Sequence, residues 1–238
     1  LKSEKLNAIG IMTAGISHEF NNLLASISGN VQLLERTYKD HGDLTDALRT
    51  IKRATDDGAE ISGKMLEFTK TDQDTKEFVS SDIRDLIRQS IDFTMPRWKN
   101  EAQARGINYQ MDTEGMKKVP SILCKPTELR EVFINLINNA LDAMPEGGSI
   151  TFSTWSDDDT VFVGVSDTGE GMSEDVMKNI FDPFFTTKEP RKGTGLGLAV
   201  VSRLAREQGF SFDVTSTPGR GSVFTVSVPR SGTQNAAT

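Results

Sequence analysis

The first seventy residues of this chain allow little besides helix. Apolar side chains stand at Ile9, Met12, Ile16, Phe20, Leu23, Ile27, Val31 and Leu34, always three or four residues apart. That is the spacing of one stripe along an α-helix. The pattern runs from about Lys5 to Tyr38 and breaks at Lys39-Asp40-His41-Gly42-Asp43, where Gly42 and Asp43 are turn and cap signals. It resumes with Leu44, Leu48, Ile51, Ala54, Gly58, Ile61, Met65 and Phe68. Two such helices form an antiparallel hairpin, and one hairpin alone buries too little surface to be stable. A second copy, completing a dimeric four-helix bundle, is the expected solution. A plain coiled-coil spacer fits the same periodicity.

The grammar changes after a polar linker, Thr71 to Lys76. Ser81 or Asp82 can cap a helix whose apolar face carries Ile83, Leu86, Ile87, Ile91 and Phe93. Gly106 to Met111 reads as a strand, and Lys125-Pro126-Thr127-Glu128 opens a strong helix that ends near Met144. Strands are expected at Ser149–Trp155 and Thr160–Ser166, and a glycine-rich helix start at Gly193–Leu204. Phe210–Ser216 and Ser222–Val228 alternate as a hairpin around Thr217-Pro218-Gly219-Arg220-Gly221. Paired strands with three helices predict an α/β sandwich with one helical layer. The fold class is therefore multidomain, α then α+β, with expected domains at 1–72 and 77–230 and a tail or linker at 231–238.

Composition narrows the function classes. The net charge is −7 with no dense Lys/Arg patch, which argues against nucleic-acid binding. No run approaches the roughly 18 apolar residues of a membrane span, and no signal peptide opens the chain. A start at Leu1 suggests a fragment, any membrane attachment lying in parts absent from this chain. The single Cys124 rules out an intrachain disulfide and reads as a small buried hydrophobe in a reducing, cytoplasmic compartment. No Cys/His cluster can build a zinc site.

His18 is one of two histidines; His41, in the helical turn, reads as a solvated loop residue. His18 stands in Ser17-His18-Glu19-Phe20-Asn21-Asn22, roughly 200° around the helix from Ile16 at about 100° per residue. The ring should point away from the apolar stripe. Asn22, Ala25 and Gly29 on the same face are small or polar and leave room for a large group to approach. A neutral imidazole is a good nucleophile near its unperturbed pKa of about 6.5, and Glu19 can orient it or accept its proton.

Three later segments suit a nucleotide. In Asn135-Leu136-Ile137-Asn138-Asn139-Ala140, Asn135 and Asn139 share a helix face, and carboxamide oxygens are hard ligands fit for Mg²⁺. In Asp167-Thr168-Gly169-Glu170-Gly171-Met172, a carboxylate at a strand end can accept from an exocyclic amine while Gly169 and Gly171 let backbone approach a flat base. Gly193-Thr194-Gly195-Leu196-Gly197-Leu198 opens a helix, where free amides form an anion site. Between the last two, Phe181-Asp182-Pro183-Phe184-Phe185 and the basic run with Lys188 and Arg191 suit a flap with apolar anchors and phosphate cations.

In order and spacing these segments resemble the catalytic core of a two-component sensor histidine kinase. Ser17 to Asn22 resembles the phosphoacceptor box, Asn135 to Ala140 the N box, Asp167 to Met172 the first glycine box, Phe181 to Phe185 the F box and Gly193 to Leu198 the second glycine box. The resemblance implies a dimerisation and phosphotransfer hairpin joined to a Bergerat-type ATP-binding domain. It implies His18 as phosphoacceptor, Glu19 as its base or orienting group, and Asn22 as the residue that assists dephosphorylation of the partner. On the nucleotide side it implies Asn139 as Mg²⁺ ligand with Asn135 beside it, and Asp167 as reader of the adenine amine between Gly169 and Gly171. Gly193, Thr194, Gly195, Leu196 and Gly197 would line the lid and phosphates, and Thr225 would stand near the base. Lys188 and Arg191 are phosphate candidates from the flap's chemistry.

The implied reaction uses ATP and Mg²⁺ to phosphorylate His18, then passes the phosphoryl group to an aspartate of a response-regulator receiver domain. The chain departs from the family pattern at Leu23, where many members have proline, and at Asp142 and Ala143, where many carry lysine and an aromatic residue. The phosphate contact of that lysine is then lost or supplied elsewhere. Two rivals remain. ATPases and chaperones of the same fold carry Glu where Asn135 stands, and an amide cannot activate water as a base. A non-catalytic dimeric scaffold would not need His18, Asn139, Asp167 and the glycine segments intact.

Overall fold

The computed structural model describes residues 20–21, 23–39, 42–69, 77–188 and 193–230. The chain divides into two compact units, Leu1–Asp74 with Lys188–Leu196, and Thr75–Thr187 with Gly197–Thr238.

In the first unit, α1 (residues 23–37) and α2 (Gly42–Thr69) form the expected helices. Their buried side chains are Leu24 and Val31 on α1, and Leu48, Thr55 and Ser62 on α2. These fall seven residues apart, the spacing of a coiled-coil seam. The helices approach closely: a Cβ at Gly58 would lie 3.3 Å from the Leu24 methyls. The sequence-predicted stripe is therefore split. Phe20, Leu23, Ile27, Leu34, Leu44 and Ile51 remain exposed on the single hairpin, and Ala54 is exposed as well. Among the described residues, the buried positions form one seam between the two helices.

The second unit is the α/β sandwich. Its five-stranded sheet has the order β2-β4-β5-β7-β6, from β2 (Tyr109–Asp112), β4 (Gly148–Ser156), β5 (Thr160–Asp167), β6 (Ser211–Thr217) and β7 (Gly221–Pro229). β2 runs parallel to β4, and the remaining pairs are antiparallel. Two short strands the sequence did not signal, β1 (Val79–Ser81) and β3 (Ile122–Cys124), form a separate antiparallel pair.

Alternation sets the core. Ile150, Phe152, Val161, Val163, Val165, Phe224, Val226 and Val228 are buried on one sheet face. The helical layer consists of α3 (Ile83–Met95), α5 (Pro126–Asp142) and α7 (Gly197–Gln208). α5 contributes the centre, with Leu129, Val132, Phe133, Leu136 and Ile137 buried. Minor helices are α4 (Ala102–Ala104) and α6 (Glu174–Met177).

Local chemistry explains the helix ends. Asp82 caps α3 by accepting from the Arg84 N–H at 2.9 Å. The Arg84 guanidinium on the same carboxylate holds it below the usual carboxylate range. Pro126 occupies the first turn of α5, where its missing N–H is harmless. Gln208, at the end of α7, accepts the Lys125 N–H at 2.8 Å and ties the two helices together.

Several boundaries move from their sequence-based positions. The strand expected at Gly106–Met111 is Tyr109–Asp112, and the helix expected from Gly193 begins at Gly197. Phe93, placed by sequence on the apolar face of α3, is 73% exposed. It lies two residues beyond buried Ile91, roughly 200° around the helix. Cys124 is buried as expected, and that burial pushes its thiol pKa up.

Candidate functional site

β5 ends at Asp167, on the same face as buried Val161, Val163 and Val165. Asp167 is itself only 6% exposed. Its Oδ1 accepts the Gly169 N–H at 2.9 Å and the Ser222 N–H at 3.3 Å. Burial drives the carboxyl pKa upward, and the two amide bonds partly offset it. Both bonds fall on Oδ1, so a ligand amine can be read by Oδ2. A buried acceptor of this kind discriminates strongly, because a mismatched ligand leaves it unpaired.

Three loops are knitted around this carboxylate. The Ala143 carbonyl at the end of α5 accepts the Glu170 N–H at 3.0 Å, and the Glu170 carbonyl accepts the Gly219 N–H at 2.7 Å. Gly171, at φ 64°, is packed where any side chain would collide with the Thr217 carbonyl. Ser216 joins the same group: its Oγ accepts the Met172 N–H at 2.8 Å and lies 3.0 Å from both the Gly221 carbonyl and Ser222 Oγ.

Ser222 was missed by sequence reasoning, which chose Thr225. Thr225 pairs with Gly164 across β5 and β7, so it lies on the sheet face opposite to Asp167. Ser222 shares the face of Phe224, Val226 and Val228. Two-residue alternation along β7 was the signal that could have found it.

On α5, Asn135 and Asn139 are half-buried four residues apart. Asn135 Nδ2 donates to the Glu131 carbonyl at 2.9 Å. A Cβ at Gly197 would stand 3.0 Å from Asn135 Oδ1 and 3.8 Å from Asn139 Nδ2. The missing side chain leaves a cradle over the two amides at the start of α7. Among the described residues no group of three His, Cys, Asp or Glu could hold a metal. An ion at these amides would draw its other ligands from phosphate oxygens and water, which suits Mg²⁺.

In the flap segment, Phe181 packs against Phe212 at 6.4 Å between ring centres. Phe184 is 48% exposed and has φ 68°, a left-handed backbone that bulky residues rarely adopt. Lys188, Gly193, Thr194, Gly195 and Leu196 group with the helical unit, Leu196 buried and the others half-buried. His18, Glu19, Asn22 and Arg191 lie outside the described residues. On α1, Ala25 and Gly29 are exposed, with open space where a Gly29 side chain would stand.

Residues 8–74 match the family described as "His Kinase A (phospho-acceptor) domain", and residues 124–232 match "Histidine kinase-, DNA gyrase B-, and HSP90-like ATPase". Sporulation kinase E of Bacillus subtilis (strain 168) is 34% identical over 229 residues, covering 96% of this chain and 29% of that protein. Sensor histidine kinase ZraS of Salmonella typhi is 32% identical over 230 residues, covering 96% of this chain and 47% of that protein. This chain thus spans less than half the length of either relative.

Among solved structures, full-length ShkA in complex with AMPPNP has a TM-score of 0.70 at 28% identity, over 92% of this chain and 45% of that one. The catalytic domain of histidine kinase ThkA has a TM-score of 0.55 at 27% identity, over 66% of this chain and 97% of that one. With a phosphoacceptor region followed by an ATPase region, and near end-to-end alignment with sensor and sporulation kinases, this chain belongs to the histidine kinase family.

Proposed function

We propose that this chain is the core of a cytoplasmic sensor kinase that phosphorylates His18 from ATP and passes the phosphoryl group to an aspartate of a response-regulator receiver domain. The observation that carries the nucleotide half is the buried Asp167 carboxylate, with Oδ1 bound to two backbone amides. Its remaining oxygen accepts the adenine amine, and the loop of Gly169 and Gly171 gives the base a flat backbone wall. Asn139, with Asn135 beside it, is the ligand for Mg²⁺, which neutralises phosphate charge when bound. Gly193 to Gly197, Lys188 and Arg191 attend the phosphates, and Ser222 takes the role near the base that Thr225 was expected to fill.

In the transfer, a His18 ring nitrogen attacks the γ-phosphorus in line as the bond to the bridging oxygen of ADP breaks. Glu19 orients the ring and takes the proton from its other nitrogen. Positioning and charge stabilisation supply most of the catalysis in reactions of this type. Asn22, four residues beyond His18 in the sequence, orients water in the reverse, hydrolytic reaction on the phosphorylated receiver.

The exposed apolar side chains of Phe20, of Ile27 and Leu34 on α1, and of Leu44 and Ile51 on α2 support a homodimer closed as a four-helix bundle. The functional boundaries follow the sequence reading, with phosphotransfer in 1–72, ATP binding in 77–230 and a tail beyond. Among the described residues no helix is long and apolar enough to cross a membrane.

The test is incubation of the chain with γ-labelled ATP and Mg²⁺. Acid-labile, base-stable label is expected on the wild type and none on His18→Gln. Label that survives acid, or persists in the variant, overturns the reading. For the hydrolytic step, Asn22→Ala should slow loss of label from a phosphorylated receiver, and an unchanged rate removes that activity.

A further inference from the structure

We propose that Arg97 is a positioning residue for the metal-and-phosphate end of the nucleotide site, an inference that rests on the reading of Asn139 above. α3 does not stop at Met95. It continues through a π-helical turn, Pro96–Glu101. Pro96 has no N–H, so the α-helical ladder loses a bond there. π-helical turns are uncommon and concentrate at functional sites. Trp98 braces this one by donating from Nε1 to the Ile91 carbonyl at 3.1 Å.

The turn carries Arg97 across to α5. Its Nη1 donates to Asn138 Oδ1 at 2.7 Å and lies 3.4 Å from the Asn138 carbonyl, while Nη2 donates to Asp142 Oδ1. Asn138 and Asp142 are four apart and bracket Asn139, one residue before it and three after. The guanidinium therefore clasps the turn of α5 that presents Asn139.

The magnitude of the pair decides between a structural and a functional reading. The side chains of Arg97 and Asp142 are 42% and 26% exposed. Pairs this open contribute little to stability, so the fork does little to hold the fold. A planar fork engaging two acceptors fixes direction in a way a lysine ammonium cannot. The C-terminal cap of the same helix is held separately, by the Glu170 N–H on the Ala143 carbonyl at 3.0 Å. Arg97 thus orients the metal end while the Glu170 contact serves the base end.

The experiment titrates the full chain with MgATP and, separately, with ADP in EDTA, following binding by calorimetry. Residues that orient metal ligands typically change affinity by about 10- to 100-fold when removed. Arg97→Ala should weaken MgATP binding by about tenfold, shift metal-free ADP by less than about twofold, and leave the melting temperature nearly unchanged. Arg97→Lys should recover little of the loss. The double variant Arg97→Ala, Asp142→Asn should be no worse than Arg97→Ala alone. MgATP binding unchanged in Arg97→Ala, or weakened equally with metal-free ADP, overturns the proposal. Asn139→Ala is run in parallel. If it leaves MgATP binding unchanged, the reading of Asn139 fails and this inference falls with it.

Discussion

Ser222 donates its backbone N–H to Asp167 Oδ1 at 3.3 Å, from the strand lying beside the one that Asp167 ends. The proposed acceptor for the base is therefore held from a neighbouring strand as well as from its own loop. Asp167→Asn keeps the size of the side chain but places a donor or a weaker acceptor in that position. A hydrogen bond to a charged partner contributes about 1.5–3 kcal/mol. ATP affinity should fall by roughly one to two decades, with little change in secondary structure by circular dichroism.

The same carboxylate gives stability and affinity opposite dependences on pH. Burial raises its folded pKa above the unfolded value. Between those two values the folded state holds more protons, so this group's contribution to stability falls as pH rises through the window. Nucleotide affinity should rise over the same window, because the amine is accepted by the ionised form. In denaturation and ATP titrations from acid to neutral pH, the difference between wild type and Asp167→Asn should carry both slopes.

Gly197→Ala separates space from fold. Alanine favours a helix start, but its Cβ would stand 3.0 Å from Asn135 Oδ1. Thermal stability should hold or rise slightly while MgATP affinity drops. A stable variant with unchanged affinity would show that the cradle over the two asparagines has no part in binding.

Ser222→Ala and Thr225→Ala test the face assignment along β7. Ser222 Oγ stands 3.0 Å from Ser216 Oγ within the knitted loops, and Thr225 faces the other side of the sheet. Losing the buried hydroxyl should cost about 0.5–1.5 kcal/mol and weaken nucleotide binding. Thr225→Ala should bind nucleotide like the wild type.

In the hairpin, Leu48 is only 3% exposed within one chain, whereas Ile51 is exposed on its surface. Leu48→Ala should destabilise the helical unit by about 2–5 kcal/mol. Ile51→Glu should leave helicity intact and, if the bundle forms as proposed, shift the chain toward monomer in light scattering at micromolar concentration.

Sequence periodicity conveyed what depends on burial alone. The valines of β5 and the apolar face of α5 stand where alternation and helical spacing put them. It conveyed less where a position depends on neighbours distant in the chain. Phe93 looked like core because it is apolar and near Ile91, yet its side of α3 stays exposed among the described residues. The family resemblance pointed to Thr225, and only the register of β7 against β5 shows that Ser222 shares the face of Asp167 and Thr225 does not. Arg97 left no local signal, since its partners Asn138 and Asp142 lie more than forty residues later.

β5 has neighbours on both edges, β4 and β7. The strand that ends in Asp167 can thus expose its amides only if the sheet itself comes apart. Hydrogen exchange at Val161 to Val165 should be among the slowest in the protein and report global opening. Fidelity for the base would then be a constant of the machine. Any signal that regulates such a kinase would have to act on access to its phosphoryl group, leaving its choice of fuel untouched.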